Sequence, residues 1–118
     1  MQRRKLSKQE RQEVWNKMRG HCAYCGCELP IEKMQADHIM PLHLGGADDI
    51  ENMLPACRSC NHYKSTFTVD KFRSHLSRIH NRLLRDSVAY QVAERFGLVR
   101  HMTDEVVFYF EKMKGVQP

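Results

Sequence analysis

Apolar residues recur at helical spacing near the start of the chain and throughout its C-terminal part. The capping-box pattern Ser7-Lys-Gln-Glu10 predicts a helix that ends at Gly20. Thr68 precedes a second predicted helix, and Asp86 or Ser87 starts a third. Each of the three helices has a predicted inward apolar face. These faces carry, in chain order, Val14, Trp15 and Met18 in the first helix; Phe72, Leu76, Ile79 and Leu83 in the second; and Val88, Val92 and Phe96 in the third.

Shorter patterns between these helices indicate strands. Residues 34–39 predict one strand, and Met53-Leu54 predicts a second, brief strand that Pro55 ends. A helix is predicted from Cys57 to about Lys64. Loop and turn signals between the strands lie at Pro41, Gly45-Gly46 and residues 48–51, the last of which favour a single helical turn.

Residues 106–110 are ambiguous, because their β-branched and aromatic content favours a strand while their flanks also suit a helix. We prefer a strand. The pattern as a whole predicts an α+β fold, in which a small strand–strand–helix core is flanked by an N-terminal helix and a mainly helical C-terminal extension. We expect one domain over 1–118, with the N-terminal helix in 1–19, the core in 20–66 and the extension in 67–118.

The chain of 118 residues has 19 Lys and Arg against 14 Asp and Glu, which gives a formal net charge of +5 and a pI of about 9.1. A basic surface suits a polyanionic partner, and nucleic acid is the commonest. No apolar run follows the basic first residues, and no stretch approaches the length of a membrane span. We therefore expect a cytoplasmic protein without membrane association.

Two cysteine pairs, Cys22-Ala-Tyr-Cys25 and Cys57-Arg-Ser-Cys60, predict one tetrahedral zinc site. In a reducing compartment paired cysteines hold metal more often than they form disulfides. Four thiolates close the coordination sphere, so the Zn²⁺ would be structural. Cys27 could replace Cys25, but the single residue between them suits chelation of one ion less well, and we interpret Cys27 as a spectator thiol.

Asp37-His38 lies on the first predicted strand, and Asn61 follows Cys60 on the predicted helix. Neighbouring strand residues point to opposite faces, so a bend is needed if Asp37 is to bind a metal while His38 reaches a water. Because the zinc site would fix the helix near Asp37, we expect Asp37 and Asn61 to be able to share one ion. A carboxylate and an amide oxygen suit Mg²⁺ or another hard divalent cation.

These motifs also occur together in a recognisable order. They are Cys22-Ala-Tyr-Cys25, Asp37-His38-Ile-Met-Pro41, Gly45-Gly46, Asn52-Met-Leu-Pro-Ala-Cys57-Arg-Ser-Cys60-Asn61 and Lys64. In this, residues 20–66 resemble the HNH endonucleases with a zinc-binding ββα-metal core, of the H-N-N subtype. The resemblance implies a DNA endonuclease that uses one divalent metal. Because small members of the family occur beside phage DNA-packaging genes, it also suggests a phage setting and packaging or other nucleic-acid-processing partners.

The resemblance implies a role for each matching residue. His38 is similar to the general base, Asp37 and Asn61 to the metal ligands, and Asn52 to the residue that holds the loop and the base in place. His62 is an alternative metal ligand, but a helix turns it roughly 100° away from Asn61, so Asn61 is preferred. Arg58 and Lys64 are predicted to add positive charge against the phosphate.

Two other functions stay open from the sequence. A zinc-ribbon module could bind DNA through its basic surface without chemistry, although it would need none of Asp37, His38, Asn52 or Asn61. An RNA-directed nuclease is the second. The sequence does not decide between nicking and double-strand cleavage, or between monomer and dimer.

Overall fold

The computed structural model describes residues 5–113. Residues 1–4 and 114–118 lie outside the described residues. They are the ends of the predicted N-terminal segment 1–19 and C-terminal extension 67–118. The chain divides into two compact units: residues 1–69 with 107–118, and residues 70–106. Each unit is described by itself, and the expectation of a single domain stays a prediction.

The first unit is built around a two-stranded antiparallel sheet. Its strands are β1 (Gln35–His38) and β2 (Met53–Ala56), and Asp37 pairs with Leu54 in the register. Helix α1 (Lys8–Asn16) begins with the predicted capping box at Ser7, and helix α2 (Arg58–Lys64) follows β2 directly. The α+β prediction of a strand–strand–helix core behind an N-terminal helix is confirmed. The buried cluster that holds these elements together comprises Val14, Leu29, Met34, Ala36 and Met53.

The prediction that Pro55 ends the second strand is wrong, because β2 runs through it to Ala56. The carbonyl of Pro55 accepts a hydrogen bond from Ala23 N at 2.8 Å, so this residue turns its backbone polar groups away from β1. A proline nitrogen on that outer side removes no ladder hydrogen bond, which is why the strand tolerates it.

The strand predicted over 106–110 is also wrong. Residues 107 and 108 are not in a strand, and a short helix, Tyr109–Lys112, follows. The backbone N–H of Phe108 donates to Glu111 Oε1 at 2.8 Å, and this contact starts the helical turn. Tyr109 N and Phe110 N donate to the carbonyls of Tyr24 and Ala23, at 3.0 and 2.9 Å, so the segment packs on the turn between the first two cysteines.

The second unit consists of three helices: α3 (Val69–Ser77), α4 (Ile79–Asp86) and α5 (Val88–Arg95). The single helix predicted after Thr68 is thus wrong, because it breaks between α3 and α4. At the break the hydroxyl of Ser77 donates to the carbonyl of Ser74 at 2.8 Å. Such local side-chain bonds compete with helix propagation. With these helices numbered, the terminal helix Tyr109–Lys112 is α6.

The inward face predicted for α5 is wrong as well. Val88 is 70% exposed and Phe96, just after the helix, is 78% exposed. The opposite face of α5 meets α4 instead: the Tyr90 hydroxyl lies 2.8 Å from His80 Nδ1, and Glu94 Oε2 lies 3.7 Å from His80 Nε2. A polar contact therefore takes the place expected for the apolar stripe.

Candidate active site and metal centre

The four predicted zinc ligands meet in one cluster. The sulfurs of Cys22, Cys25, Cys57 and Cys60 all lie within 4.8 Å of one another. Cys25 Sγ and Cys57 Sγ are 3.9 Å apart. A tetrahedral ion with Zn–S bonds of about 2.3 Å places its sulfurs about 3.8 Å apart, so the spacing of Cys25 and Cys57 is close to that of a zinc site. Cys27 is exposed and outside it.

Local backbone geometry assembles the cluster. Cys57 is the N-cap of α2, and its sulfur accepts from the backbone N–H of Cys60 at 3.4 Å. Cys57 N in turn donates to Cys22 Sγ at 3.3 Å. Backbone donors directed at sulfur stabilise the thiolate form that a metal requires. A hydrogen bond from Cys60 lowers the pKa of Cys22 to about 4, and the same bond is the main cause that raises the pKa of Cys60.

A second feature is a cavity of about 380 Å³ in the same unit. Its lining includes Asp37, His38 and Asn61, together with Pro41, Leu42, His43, Ser65 and Thr66. The structure thus brings the strand dipeptide and the helix amide to one place. Asp37 and His38 are neighbours at the end of β1, and both line the cavity.

The carboxylate of Asp37 is buried and is held by two donors, a neutral hydroxyl and an ammonium group. Its Oδ2 accepts from the Tyr24 hydroxyl at 2.5 Å and lies 2.9 Å from Lys64 Nζ. Burial, followed by the negative charge of Asp37, raises the pKa of Tyr24, which therefore stays protonated and donates. Because both contacts use Oδ2, Oδ1 is the oxygen left to face a cation.

Lys64, predicted to add positive charge against the phosphate, is buried in the structure. Its side chain is 1% exposed, and Nζ also donates to the carbonyl of His38 at 2.9 Å. The ammonium thus joins α2 to the end of β1 through two residues of the candidate site. Arg58, by contrast, is exposed on the outer side of α2.

The imidazole of His38 lies between the cavity and the loop that follows β1. Its Nε2 is 2.8 Å from Asp48 Oδ1, and the two side chains are 8% and 19% exposed. An ionised carboxylate only accepts hydrogen bonds, so Nε2 carries the proton in this contact. Sequence reasoning had interpreted Asp48 only as part of a turn-capping segment.

Asn52 holds that loop closed through its side chain and backbone. Its Nδ2 donates to the carbonyls of Met40 and Ala47 at 2.9 and 2.8 Å, and its Oδ1 accepts from Met40 N at 3.0 Å. Gly46 lies in the same loop, and a Cβ at this position would stand 1.8 Å from the Met40 carbonyl oxygen. These hydrogen bonds join the two ends of the loop, and the role predicted for Asn52 in placing the base stays a prediction.

The two alternative metal ligands on α2 point to different places. Asn61 lines the cavity with Asp37, and its Nδ2 donates to Gln35 Oε1 at 2.7 Å. His62 instead lines a separate surface depression with Arg58, Ser59 and Tyr63. Of the two, only Asn61 lies beside Asp37.

Sequence reasoning missed two residues that contact the candidate site, Tyr24 and Asp48. Tyr24 occupies one of the two variable positions between the first pair of cysteines, and nothing in its spacing points to Asp37. Asp48 follows the Gly45-Gly46 loop signal by two residues, so a carboxylate carried by a loop that returns toward His38 was the available clue.

Comparisons with known proteins agree with this geometry. Residues 22–77 match a family model described as HNH endonuclease. The match covers just under half of the chain. Endonucleases are hydrolases that act on nucleic acid, so this stretch is similar to nucleases. The HNH recognition drawn from the sequence is confirmed.

A relative from Bacillus subtilis (strain 168), named "SPbeta prophage-derived putative HNH endonuclease YoqL", is 33% identical over 70 residues. The match covers 49% of this chain and 30% of the relative. The crystal structure of the Type II-C Cas9 enzyme from Actinomyces naeslundii is similar in fold, with a TM-score of 0.51 at 24% identity. That likeness covers 62% of this chain and 9% of the Cas9 chain. The chain therefore spans less than a third of either protein.

The four-cysteine cluster of this chain is compatible with a bound metal such as zinc. Among residues 5–113, no helix combines the length and apolar content that a bilayer crossing requires.

Proposed function

We propose that the chain is a metal-dependent DNA endonuclease that hydrolyses phosphodiester bonds at the cavity lined by Asp37, His38 and Asn61. The observation that carries the proposal is the meeting of a carboxylate, an imidazole and a carboxamide in one cavity. The helix that supplies the carboxamide also supplies two sulfurs of the cysteine cluster. A zinc ion there would fix the helix, and with it Asn61, against the end of β1.

Asp37 and Asn61 are the residues we propose to hold the catalytic cation. A carboxylate and an amide oxygen form a hard donor set, which suits Mg²⁺ that keeps several waters. The contacts of Tyr24 and Lys64 to Oδ2 support this assignment, because they orient the carboxylate and leave Oδ1 for the ion. When bound, the cation would neutralise the charge that builds on the phosphate and on the leaving oxygen.

His38 is proposed as the general base. In neutral form its free ring nitrogen takes a proton from water, and the water oxygen forms a bond to phosphorus. The bond from phosphorus to one sugar oxygen breaks, and that oxygen leaves with the electron pair and is then protonated by solvent. Asn52 contributes by holding the loop next to His38. In this scheme the zinc site does no chemistry.

DNA is the proposed substrate because the chain has a formal net charge of +5 and the HNH family acts on nucleic acid. Arg58, exposed on α2, is proposed to contact a phosphate. We propose that Lys64 acts through Asp37 rather than on the phosphate.

The test is a supercoiled-plasmid nicking assay on zinc-loaded protein, with and without Mg²⁺. We expect Mg²⁺-dependent cleavage by the wild type and a loss of about 10²–10⁴-fold in His38→Ala. Asn61→Ala should lose metal-dependent cleavage while its circular dichroism stays native. His62→Ala, one residue along the same helix, is the matched control and should cleave like the wild type.

Other outcomes of these assays would indicate a different function or a different metal ligand. DNA binding without cleavage by the wild type would favour the zinc-ribbon module, and preferential cleavage of RNA in a substrate competition would make the chain an RNA-directed nuclease. Activity retained in Asn61→Ala but lost in His62→Ala would move the metal ligand to His62.

The wider setting also stays a proposal. The Bacillus relative is named as prophage-derived, which supports the prediction of a phage setting with packaging or other nucleic-acid-processing partners. The cytoplasmic location, the choice of Mg²⁺ and the single domain over 1–118 are likewise predictions. A monomer would nick one strand, whereas double-strand cleavage would need a dimer or two binding events.

A further inference from the structure

The carboxylate of Asp48 makes a contact that the proposed mechanism has not used. Asp48 Oδ1 lies 2.8 Å from Nε2 of His38, and both side chains are largely buried, at 19% and 8% exposed. At this distance and burial the contact is a charge-assisted hydrogen bond rather than a surface ion pair. Since an ionised carboxylate only accepts, the bond selects the ring form in which Nε2 is protonated.

The other ring nitrogen is then the only basic atom of the imidazole. Among the described residues, no hydrogen bond to His38 Nδ1 is present. This nitrogen is also not among the fully buried polar atoms without a partner, a set that within residues 5–113 contains His21 Nδ1 alone. Nδ1 of His38 is therefore not fully buried, and the ring lines the cavity with Asp37 and Asn61.

The fold fixes Asp48 in this position. The preceding carbonyl, that of Ala47, accepts from Asn52 Nδ2 at 2.8 Å, and the following residue, Asp49, caps the turn Ile50–Asn52. On the other side, the His38 carbonyl accepts from the buried Lys64 ammonium at 2.9 Å. Both partners of the hydrogen bond are thus held by their own backbone, which makes the orientation of the ring a property of the loop.

We propose that Asp48 is the positioning residue for His38: it holds the imidazole in the Nε2–H tautomer and directs Nδ1 toward the cavity as the proton acceptor. This inference rests on the proposed function, in which His38 is the general base. When Nδ1 takes a proton from water, the ring becomes cationic, and the carboxylate at Nε2 offsets that charge. Its effect should therefore fall on the chemical step and not on substrate binding.

The test compares Asp48→Ala with Asp48→Glu, which keeps an acceptor, and with Glu51→Ala. Glu51 is an exposed acid of the following turn, so its removal changes the charge equally without touching the ring. In single-turnover cleavage we expect Asp48→Ala to lose roughly 10–100-fold in rate with KM unchanged. Asp48→Glu should recover part of the rate, and Glu51→Ala should match the wild type.

The second measurement needs no activity. In ¹⁵N-labelled, zinc-loaded protein without Mg²⁺, at a pH where the ring is neutral, the wild type should give a His38 Nε2–H signal protected from exchange with solvent. Asp48→Ala should lose the protection, and Asp48→Glu should keep it. A proton on Nδ1 in the wild type, or a protected Nε2–H that survives in Asp48→Ala, overturns the proposal.

The cleavage assay and the NMR measurement distinguish failure of the endonuclease proposal from failure of the positioning role of Asp48. A wild type that cleaves no nucleic acid refutes the proposed function, while the ring signal still decides whether Asp48 positions His38. A wild type that cleaves, with Asp48→Ala equally fast or slowed only through KM, refutes the positioning role and leaves the endonuclease standing. Circular dichroism of each variant checks that the fold is kept.

Discussion

The buried pair of Lys64 and Asp37 offers a sharp test of how this core is held together. Lys64→Met keeps most of the apolar stem and removes the ammonium. It deletes the 2.9 Å contact to Asp37 Oδ2 and the 2.9 Å hydrogen bond to the His38 carbonyl. Asp37 then keeps the Tyr24 hydroxyl but loses the positive charge that compensates it.

The size of the effect follows from burial. Lys64 and Asp37 are only 1% and 6% exposed, so solvent screens the pair weakly. Removing one partner of such a pair costs about 3–5 kcal/mol, because the other charge stays buried without its compensation. That is a large part of the roughly 5–15 kcal/mol by which a domain is stable. We expect Lys64→Met to lower the free energy of unfolding by about 3 kcal/mol.

The assay is equilibrium urea unfolding at a fixed, buffered free-zinc concentration, so that zinc binding contributes equally to every variant. Lys33→Met is the matched control, since Lys33 is exposed in the turn Ile31–Lys33 and should change stability by less than about 0.5 kcal/mol. The double variant Asp37→Asn with Lys64→Met removes both charges and should recover at least about 1 kcal/mol relative to the sum of the single effects.

Two results would contradict this reasoning. If Lys64→Met unfolds within about 1 kcal/mol of the wild type, the ammonium does not compensate a buried carboxylate. If the single effects simply add in the double variant, Lys64 and Asp37 do not interact.

Three other changes test neighbouring features. Cys57→Ser should unfold the first unit, since a structural zinc site supplies on the order of 10 kcal/mol, and native circular dichroism would contradict this. Gly46→Ala places a Cβ 1.8 Å from the Met40 carbonyl oxygen, so the loop should shift. We expect altered amide NMR signals around Asn52 and little cleavage. Unchanged spectra would show that the loop accommodates the added methyl group. Tyr24→Phe removes a buried donor to Asp37 and should cost about 1–3 kcal/mol in urea unfolding, whereas no loss would mean that Lys64 alone satisfies the carboxylate.

The local patterns near the site were the most predictable part of the molecule. The spacing of the cysteine pairs, the capping box at Ser7 and the helix after Cys57 each depend on residues a few positions apart. Such short-range geometry follows from helix and turn stereochemistry alone. The placement of Asn61 beside Asp37 needed one long-range assumption, that the two cysteine pairs meet, and the structure brings the four sulfurs together.

What could not be predicted depends on contacts distant in the chain. Lys64 is as polar as any exposed lysine, and only the neighbouring Asp37 explains its burial. Residues 106–110 have the composition of a strand, but the side chain of Glu111 caps a helix there. In α5 a polar face meets His80, so the stripe that begins at Val88 faces outward although its spacing predicts a core face.

The segment that packs on the turn between the first two cysteines affects how the chain can be shortened. Phe108 is 2% exposed, and its ring and that of Phe110 meet Tyr24 edge-on at 5.2 and 6.1 Å. Tyr24 is the residue that donates to Asp37. A fragment trimmed to the recognised family stretch would stop at residue 77 and lose these rings. The smallest fragment that keeps these ring contacts would therefore be two separate pieces of sequence, rejoined across residues 70–106, and not the motif alone.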